Sequence, residues 1–377
     1  MSSIESGAGI WPNYIKKELV GKNSYSVEAA ERDAEVTATE KIKRFTYSQD
    51  WSAYDKAQTK EKELFMSLLS DLCQTIPDET RQISKGRPRL PIRDMAFSSA
   101  LKVFTTFSLR RFMTDMRTAN ELGYLQTTPH FSMVSYYMEK PEFTPILKEL
   151  ITLSAMPLKS VETDFAIDST GFRTTKFNDY CREKHNTGRK HTWVKAHICC
   201  GVKTNIVTAI EIGEELHSAD SPQFIPLAKQ TYDSGFKIRE VSGDKAYTSK
   251  ANYNAINELG GTAYIPFKSN TKIRGTSHSK GDVFANSHSK GSDSRIWRKM
   301  YRYFAYNQEE FLEHYHKRSN IESTNNMIKA KFTDLVRIKN KTAQVNEVLL
   351  KVLCHNICVL IQEMFELGIE PNFLEGA

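Results

Sequence analysis

The sequence lacks an uninterrupted apolar run long enough to cross a membrane. Its longest apolar stretch, residues 345–361, contains asparagine, glutamate, lysine and histidine residues, whereas a membrane-spanning helix needs about 20 predominantly apolar residues. The first 30 residues carry charges throughout and lack the apolar core of a signal peptide. We therefore expect a cytoplasmic protein without a membrane partner.

Cysteine is also scarce, with six residues in a chain of 377. So few cysteines in so long a chain do not form a disulfide framework. Cys199 and Cys200 are adjacent in a predicted strand, and Cys354 and Cys358 share an apolar helical face, which is the usual setting of buried free thiols. His355 lies between the last two, but no second ligand pair has the spacing of a zinc site. We expect all six thiols to be reduced and structural.

The chain has no large excess of either charge. Its formal net charge is +7, which supports a polyanionic partner only weakly, because many metabolic enzymes have a similar excess. The distribution of the charge is more informative than its sum. Basic residues concentrate at 85–93, 108–117, 295–302 and 314–341.

The first part of the chain divides into a polar arm and a helical region. Residues 1–60 are polar, mixed in charge and without a persistent period, so we interpret them as a loosely packed N-terminal arm. Helical periodicity begins near Glu61 and recurs through residues 61–155, interrupted by a basic segment with prolines at 85–93. We interpret residues 61–155 as an all-α domain.

Short helices around a turn suggest that this all-α region binds DNA. Helices are predicted at about 108–121 and 132–138, with a glycine between them and Arg110, Arg111 and Arg117 on the first. A helix-turn-helix-like DNA-binding domain fits this arrangement, with the three arginines as phosphate contacts. An ordinary helical domain with a basic face fits it equally well.

Strand and helix patterns alternate from about residue 156 to residue 366. The predicted elements are strands at 161–167, 191–200, 206–212, 237–241 and 262–266, and helices at 218–232, 250–259, 308–331 and 342–365. This order, with a hairpin between the second and third strands, is typical of an α/β domain with a mixed sheet. Residues 269–294, in which Ser-His-Ser-Lys-Gly occurs twice, form a flexible polar loop within it.

Three acidic residues are placed where they can form a metal site. Asp168 and Asp244 each follow a predicted strand, and Glu322 lies on a later helix. Two divalent cations roughly 3.5–4 Å apart can activate an oxygen nucleophile and stabilise a departing oxyanion in phosphodiester chemistry, and Mg²⁺ and Mn²⁺ prefer oxygen ligands. Each residue also has a simpler interpretation: Asp168 as a turn residue, Asp244 as a cap, and Glu322 as the partner of Arg318.

The predicted helix at 308–331 carries an unusual polar stripe. Tyr315, Arg318, Glu322 and Lys329 are separated by near-multiples of the helical repeat. At roughly 100° per residue, the last three fall within about 60° of Tyr315. A solvated face with an Arg318–Glu322 ion pair explains the stripe as well as a functional site does.

These residues carry a resemblance to a known family. Tyr315, Arg318, Glu322 and Lys329 match the signature Tyr-x2-Arg-x3-Glu-x6-Lys at every spacing, a strand ends in Asp-Ser-Thr at Asp168, and Gly-Asp-Lys-Ala-Tyr follows from Gly243. The chain resembles the DDE transposases of bacterial and archaeal insertion sequences that carry this signature. The similarity covers about residues 160–365.

The resemblance implies a fold, a set of ligands and an activity. The fold would be a ribonuclease-H-like mixed sheet flanked by helices, preceded by the all-α DNA-binding region. Asp168, Asp244 and Glu322 would be the catalytic ligands of two divalent cations, Mg²⁺ or Mn²⁺. Arg318 and Lys329 would contact DNA phosphates, and Tyr315 would support the strand near the site.

The implied partner is double-stranded DNA, as the terminal inverted repeats of an element and as target DNA. The enzyme would cleave the element ends and transfer their 3′ ends to the target, acting near the nucleoid, and we expect a homodimer when it is assembled on DNA. Two alternatives remain open on the sequence. One is a ribonuclease-H-like nuclease without strand transfer, and the other is a non-catalytic DNA-binding protein derived from a transposase.

Overall fold

A five-stranded mixed sheet flanked by helices forms the centre of the protein in this computed structural model. The structure describes residues 50–77, 89–175, 193–213, 220–269, 271 and 294–373. The strands are β1 Asp164–Arg173, β2 Trp193–Gly201, β3 Val207–Gly213, β4 Glu240–Gly243 and β5 Thr262–Tyr264. They lie in the order β3-β2-β1-β4-β5. β1 to β3 pair antiparallel, and β4 and β5 extend the sheet in parallel from β1.

Helices precede, connect and follow the strands. They are α1 Trp51–Gln74, α2 Ile92–Thr105, α3 Leu109–Glu121, α4 Phe131–Met138, α5 Phe143–Ala155, α6 Ser221–Asp233, α7 Lys250–Glu258, α8 Arg295–Tyr306, α9 Gln308–His316, α10 Ser319–Phe332 and α11 Lys341–Glu366. The chain from Asp50 onward forms one unit by its internal contacts. A division of this unit near residue 155 therefore stays a prediction about how the chain folds.

The first helix begins at Trp51 rather than near Glu61. Its start is capped by Asp50, whose Oδ1 accepts hydrogen bonds from the backbone N–H groups of Ser52 and Ala53 at 2.9 and 3.1 Å. The buried face of this first part consists of Ala53 and Ala57, which give a weaker hydrophobic period than the leucines that follow. Residues 1–49 of the predicted arm lie outside the described residues.

The long helix α11 carries much of the core. It packs against α1, α2 and α5 and also touches β2 and β3. Its length and composition would suit a membrane span, but 78% of its most apolar window is buried inside the protein. The polar residues that interrupt its apolar run make specific bonds: Asn356 bonds the backbone N–H and C=O of Val207 at 2.9 and 2.8 Å, and Asn346 Nδ2 donates to the Met138 carbonyl at 2.8 Å. These amides fix the helix against the sheet and against α4.

The predicted hairpin of β2 and β3 is confirmed, but the predicted turn at Asp168 is wrong. β1 continues to Arg173 because β2 pairs with it over the whole length, from Phe165 opposite Gly201 to Arg173 opposite Trp193. The glycine of the supposed turn, Gly171, lies under the Trp193 ring, where a Cβ would come within 3.1 Å of Cε3. Asp168 is therefore held inside a paired strand.

The described thiols agree with the expectation of reduced, structural cysteines. Cys73, Cys199, Cys200 and Cys354 are free and buried, and Cys358 is free and partly buried. Burial raises the pKa of Cys199 to about 11 and that of Cys358 to about 12, so these thiols stay protonated. Cys181 and nearly all of the predicted loop 269–294 lie outside the described residues.

Candidate functional site

Asp168 lies in β1, and Asp244 directly follows the adjacent strand β4. β1 and β4 run parallel, and Ile167 lies opposite Gly243. The next residues, Asp168 and Asp244, therefore both emerge on the face of the sheet opposite to the Ile167 side chain. Gly243 itself packs closely, since a Cβ there would lie 3.1 Å from the Phe224 ring. The Asp244 carboxylate accepts from the backbone N–H of Lys245 at 2.6 Å, so it caps the following 3-10 turn, and its charge acts on Asp168.

Arg318 joins Asp168 to Glu322. Its Nη2 donates to Asp168 Oδ2 at 3.0 Å and its Nη1 donates to Glu322 Oε1 at 2.8 Å. The Arg318 and Asp168 side chains are 18% and 17% exposed, whereas the Glu322 side chain is 60% exposed. The simple Arg318–Glu322 pair is thus present, but the same guanidinium also reaches the sheet.

The helix predicted at 308–331 is two helices. α9 ends at His316, α10 begins at Ser319, and Lys317 and Arg318 form the turn between them. Tyr315 therefore precedes the break and Glu322 lies in the first turn of the second helix, so the four signature residues do not share one continuous stripe. The turn directs Lys317 and Arg318 toward two different acidic groups.

Sequence reasoning missed the acidic group that holds Lys317. Lys317 Nζ donates to Asp164 Oδ2 at 2.8 Å and to Glu240 Oε2 at 2.7 Å. His314 Nδ1 lies 2.9 Å from Glu240 Oε2, and Arg239 Nε donates to Asp164 Oδ1 at 2.7 Å. Asp164 and Glu240 are the first residues of β1 and β4, and acidic residues inside the otherwise apolar predicted strands 161–167 and 237–241 are the signal that could have suggested this anchor.

Burial and neighbouring charges shift the pKa values of Asp168, Tyr315 and Arg318. Burial raises the pKa of Asp168, and the nearby charges of Asp244 and Glu322 raise it further, against the opposing effect of Arg318. Burial likewise raises the pKa of the Tyr315 phenol, which feels the charges of Arg318, Asp244 and Glu322. Burial alone would lower the pKa of Arg318, but Asp168 and its other neighbours raise it on balance. The structure thus brings Asp168, Arg318 and Glu322 into contact, with Asp244 and Tyr315 near enough to interact with them electrostatically.

The chemistry of the donor groups, but not their spacing, suits a hard divalent cation. These groups are three carboxylates from β1, the end of β4 and α10, with one guanidinium as their counter-charge, and oxygen ligands of this kind suit Mg²⁺ and Mn²⁺. Among the described residues, no three His, Cys, Asp or Glu side chains are grouped closely enough to hold a metal ion. In the geometry described, Arg318 links Asp168 to Glu322.

Lys329 lies elsewhere on α10. Its Nζ is 5.6 Å from the centre of the Phe172 ring, near the end of β1. Burial lowers the pKa of Lys329, while Asp334 opposes that effect. No contact described for Lys329 reaches the three carboxylates.

The predicted arginines of the N-terminal region lie on α3, and the side chains of Arg110, Arg111 and Arg117 are all exposed. Arg110 lies over the Phe131 ring of α4 at 5.1 Å, and the other two face solvent. This arrangement leaves their charges available, and their role in binding DNA stays a prediction.

The chain is similar to one protein family and to a solved structure. Residues 159–357, slightly more than half of the chain, match the model of a family described as a transposase DDE domain. Among solved structures, the chain is similar to a piggyBac transposase seen by cryo-EM in a synaptic complex with hairpin DNA, at 12% identity and a TM-score of 0.39. That match covers 82% of this chain and 74% of the other.

Proposed function

Because the chain belongs to the transposase DDE domain family, we propose that it is a metal-dependent DNA transposase. It would bind the terminal inverted repeats of its own element, cleave them, and transfer the 3′ ends to target DNA. The observation that carries this proposal is that Arg318 bonds both Asp168 of β1 and Glu322 of α10, while Asp244 directly follows the parallel strand β4 beside β1.

The three carboxylates are the proposed metal ligands. Two Mg²⁺ or Mn²⁺ ions bound there would supply an activated oxygen nucleophile and a counter-charge for the departing oxygen. The ligands come from elements of different rigidity. Asp168 is fixed inside a paired strand and Asp244 at the end of another, while the exposed Glu322 side chain is free to adjust.

Arg318 has two roles in this proposal. It neutralises part of the carboxylate charge in the free protein, since it bonds both Asp168 and Glu322. A DNA phosphate is an alternative bidentate acceptor for a guanidinium. Movement of Arg318 onto a phosphate would release Asp168 and Glu322 at the moment when the scissile strand arrives. Tyr315 lies beside Arg318 and would support that strand.

The remaining proposed contacts extend the DNA path beyond the site. Lys329 would meet a phosphate near the end of β1, and Arg110, Arg111 and Arg117 would meet phosphates of the terminal repeat, with the helices of residues 61–155 as the DNA-binding region. The mixed sheet with its acidic centre is consistent with a ribonuclease-H-like catalytic domain over 156–366. A homodimer assembled on two element ends completes the proposal.

An end-cleavage assay tests the function. The substrate is duplex DNA carrying the terminal repeat found beside the gene, with Mg²⁺ and a target plasmid. The wild-type chain should cleave and join the ends, whereas Asp168→Asn, Asp244→Asn and Glu322→Gln should each reduce cleavage below detection while DNA binding is retained. Asp164→Asn, the same change four residues earlier in β1, is the matched control and should keep cleavage.

Three outcomes would contradict the proposal. Cleavage retained by an Asp168, Asp244 or Glu322 variant would show that the residue is not an essential ligand. Cleavage by the wild type without joining would identify a nuclease without strand transfer. Specific binding without either reaction would identify a DNA-binding protein.

A further inference from the structure

All the charged residues of helix α8 are basic, and they lie on one face of the helix. Its sequence, Arg-Ile-Trp-Arg-Lys-Met-Tyr-Arg-Tyr-Phe-Ala-Tyr, contains four basic residues and no acidic one. At about 100° per residue, these four fall within an arc of about 100°. We call this surface the α8 cationic face and define it by Arg295, Arg298, Lys299 and Arg302.

The other face of α8 fixes how the helix is held. Trp297 and Met300 are buried. The Trp297 ring lies 4.8 Å from Phe267 and 5.4 Å from Tyr253, and Phe304 packs on the Phe267 ring at 5.6 Å. Because these aromatic side chains pack on one side of α8, the cationic face on the other side points away from the protein.

This cationic face is costly to the helix that carries it. Arg295 and Lys299 are like charges at i,i+4, as are Arg298 and Arg302, and such pairs destabilise a helix. Arg295 and Arg298 also lie in the first turn, where the helix dipole disfavours positive charge. None of the four forms an ion pair with a carboxylate among the residues the structure describes. An ordinary solvated face would mix charges of both signs.

The helix α8 packs beside the residues that follow β5. Phe267, on which Trp297 rests, follows β5, and β5 runs parallel to β4, whose carboxyl end leads to Asp244. The helix α3, which carries Arg110, Arg111 and Arg117, packs on α2 and α4, and these pack on α11, which touches β2 and β3 at the other side of the sheet. The strands with the proposed ligands thus lie between two basic regions.

We propose that the α8 cationic face is a second DNA-binding surface, which holds the phosphate backbone on the β5 side of the cleavage site. This inference rests on the proposed function. The face spans about 10 Å from Arg295 to Arg302, so it can meet more than one phosphate of a strand that carries a charge every 3.4 Å of its axis. Arginine suits phosphate contacts, and the Tyr306 ring, 84% exposed at the end of the same face, adds an aromatic contact.

Salt-dependent binding tests the inference with a charge-matched control. The test variant is Arg295→Ala/Lys299→Ala/Arg302→Ala. The control is Lys159→Ala/Lys229→Ala/Lys237→Ala, three exposed lysines outside α8. Both variants lower the formal net charge from +7 to +4, because each removes three positive charges. Binding of full-length protein to duplex end DNA with flanking sequence is measured by fluorescence anisotropy from 50 to 300 mM salt.

The α8 variant should bind about tenfold more weakly or worse at low salt, and its slope of log K against log salt should fall by up to about 2.7, or about 0.9 for each phosphate contact. The control should keep the wild-type slope. The alanines relieve repulsion in α8, so thermal unfolding of the variant should match or exceed that of the wild type, and each single alanine variant should lose its own share of the slope.

Equal weakening of the α8 variant and the control would overturn the inference, because net charge alone would then explain binding. If the α8 variant keeps the wild-type salt slope and the wild-type protein cleaves end DNA, the inference about α8 is wrong and the proposed function stands. Loss of binding to anionic vesicles with DNA binding unchanged would assign the face to a lipid surface. A wild type that neither binds nor cleaves end DNA would instead remove the proposed function.

Discussion

Acidic residues lie at both ends of strands β1 and β4, but they are matched by cations at the amino ends and exceed the cations at the carboxyl ends. At the amino ends, Asp164 and Glu240 are bonded by Lys317, Arg239 and, at Glu240, by His314. Burial alone would raise the pKa of Asp164, but its hydrogen bonds and charges from Arg239 and Lys317 lower it on balance. The acids at this end are satisfied, which identifies the cluster as a structural anchor.

At the carboxyl end of the same strands, the acids are in excess. Asp168, Asp244 and Glu322 share Arg318 as their counter-charge, which leaves two negative charges in excess over the positive one among these four groups. The pKa of Asp168 is raised, opposite to that of Asp164. An excess of negative charge at one end and balance at the other is what separates a proposed cation site from an ion-pair anchor built of the same residue types.

The largest expected difference in the free energy of unfolding is between removing Lys317 and removing its neighbour Arg318. Lys317→Ala removes the cation that hydrogen-bonds both Asp164 and Glu240, whose side chains are each 12% exposed, and should lower the free energy of unfolding by about 2 kcal/mol. Arg318→Ala should cost less, about 1 kcal/mol, because one of the two acids that Arg318 bonds, Glu322, is 60% exposed to water. Urea unfolding in EDTA measures both. A larger loss for Arg318→Ala would reverse the assignment of anchor and site.

A smaller effect is expected from acid. The folded pKa of Asp164 is lowered, so its stabilising contribution is present above its unfolded pKa of about 4 and is lost as pH falls through the folded value. The folded pKa of Asp168 is raised, so its contribution is present below about pH 4 and is lost as pH rises through the folded value. The two residues, four positions apart on one strand, should therefore act on stability with opposite sign.

Urea unfolding at pH 7 and pH 3.5 in EDTA checks these signs. Asp164→Asn should be less stable than the wild type at pH 7, and the difference should shrink at pH 3.5. Asp168→Asn should be as stable as the wild type or more stable at pH 7, by under about 1 kcal/mol. Equal pH dependence for the two variants would show that the ends of the strand do not differ electrostatically.

Much of the fold was readable from hydrophobic period and turn residues. The hairpin of β2 and β3 and the long helix α11 follow from apolar patterns that are local in sequence. The start of α1 was not readable, because Ala53 and Ala57 bury little apolar surface. The continuation of β1 through Asp168 was also missed, because pairing with β2 overrides the turn preference of Asp-Ser-Thr-Gly.

The site could be read only in part for a similar reason. Strand ends singled out Asp168 and Asp244, and helical spacing singled out Glu322. That spacing assumes one helix, whereas the break at Lys317 depends on contacts with residues 153 and 77 positions away in sequence. The same break separates Tyr315 from α10. Long-range ion pairs of this kind leave no local period, so neither the anchor nor the altered direction of Arg318 could be predicted from the sequence.

Divalent-cation binding by two variants of one strand tests the central claim most directly. Mn²⁺ binding to the full-length protein with uncleavable end DNA is measured by electron paramagnetic resonance for the wild type, Asp168→Asn and Asp164→Asn. The carboxyl-end site predicts that Asp168→Asn binds Mn²⁺ at least about tenfold more weakly, while Asp164→Asn binds it as the wild type does. Equal Mn²⁺ affinity for Asp168→Asn and the wild type would contradict the assignment of Asp168 as a metal ligand.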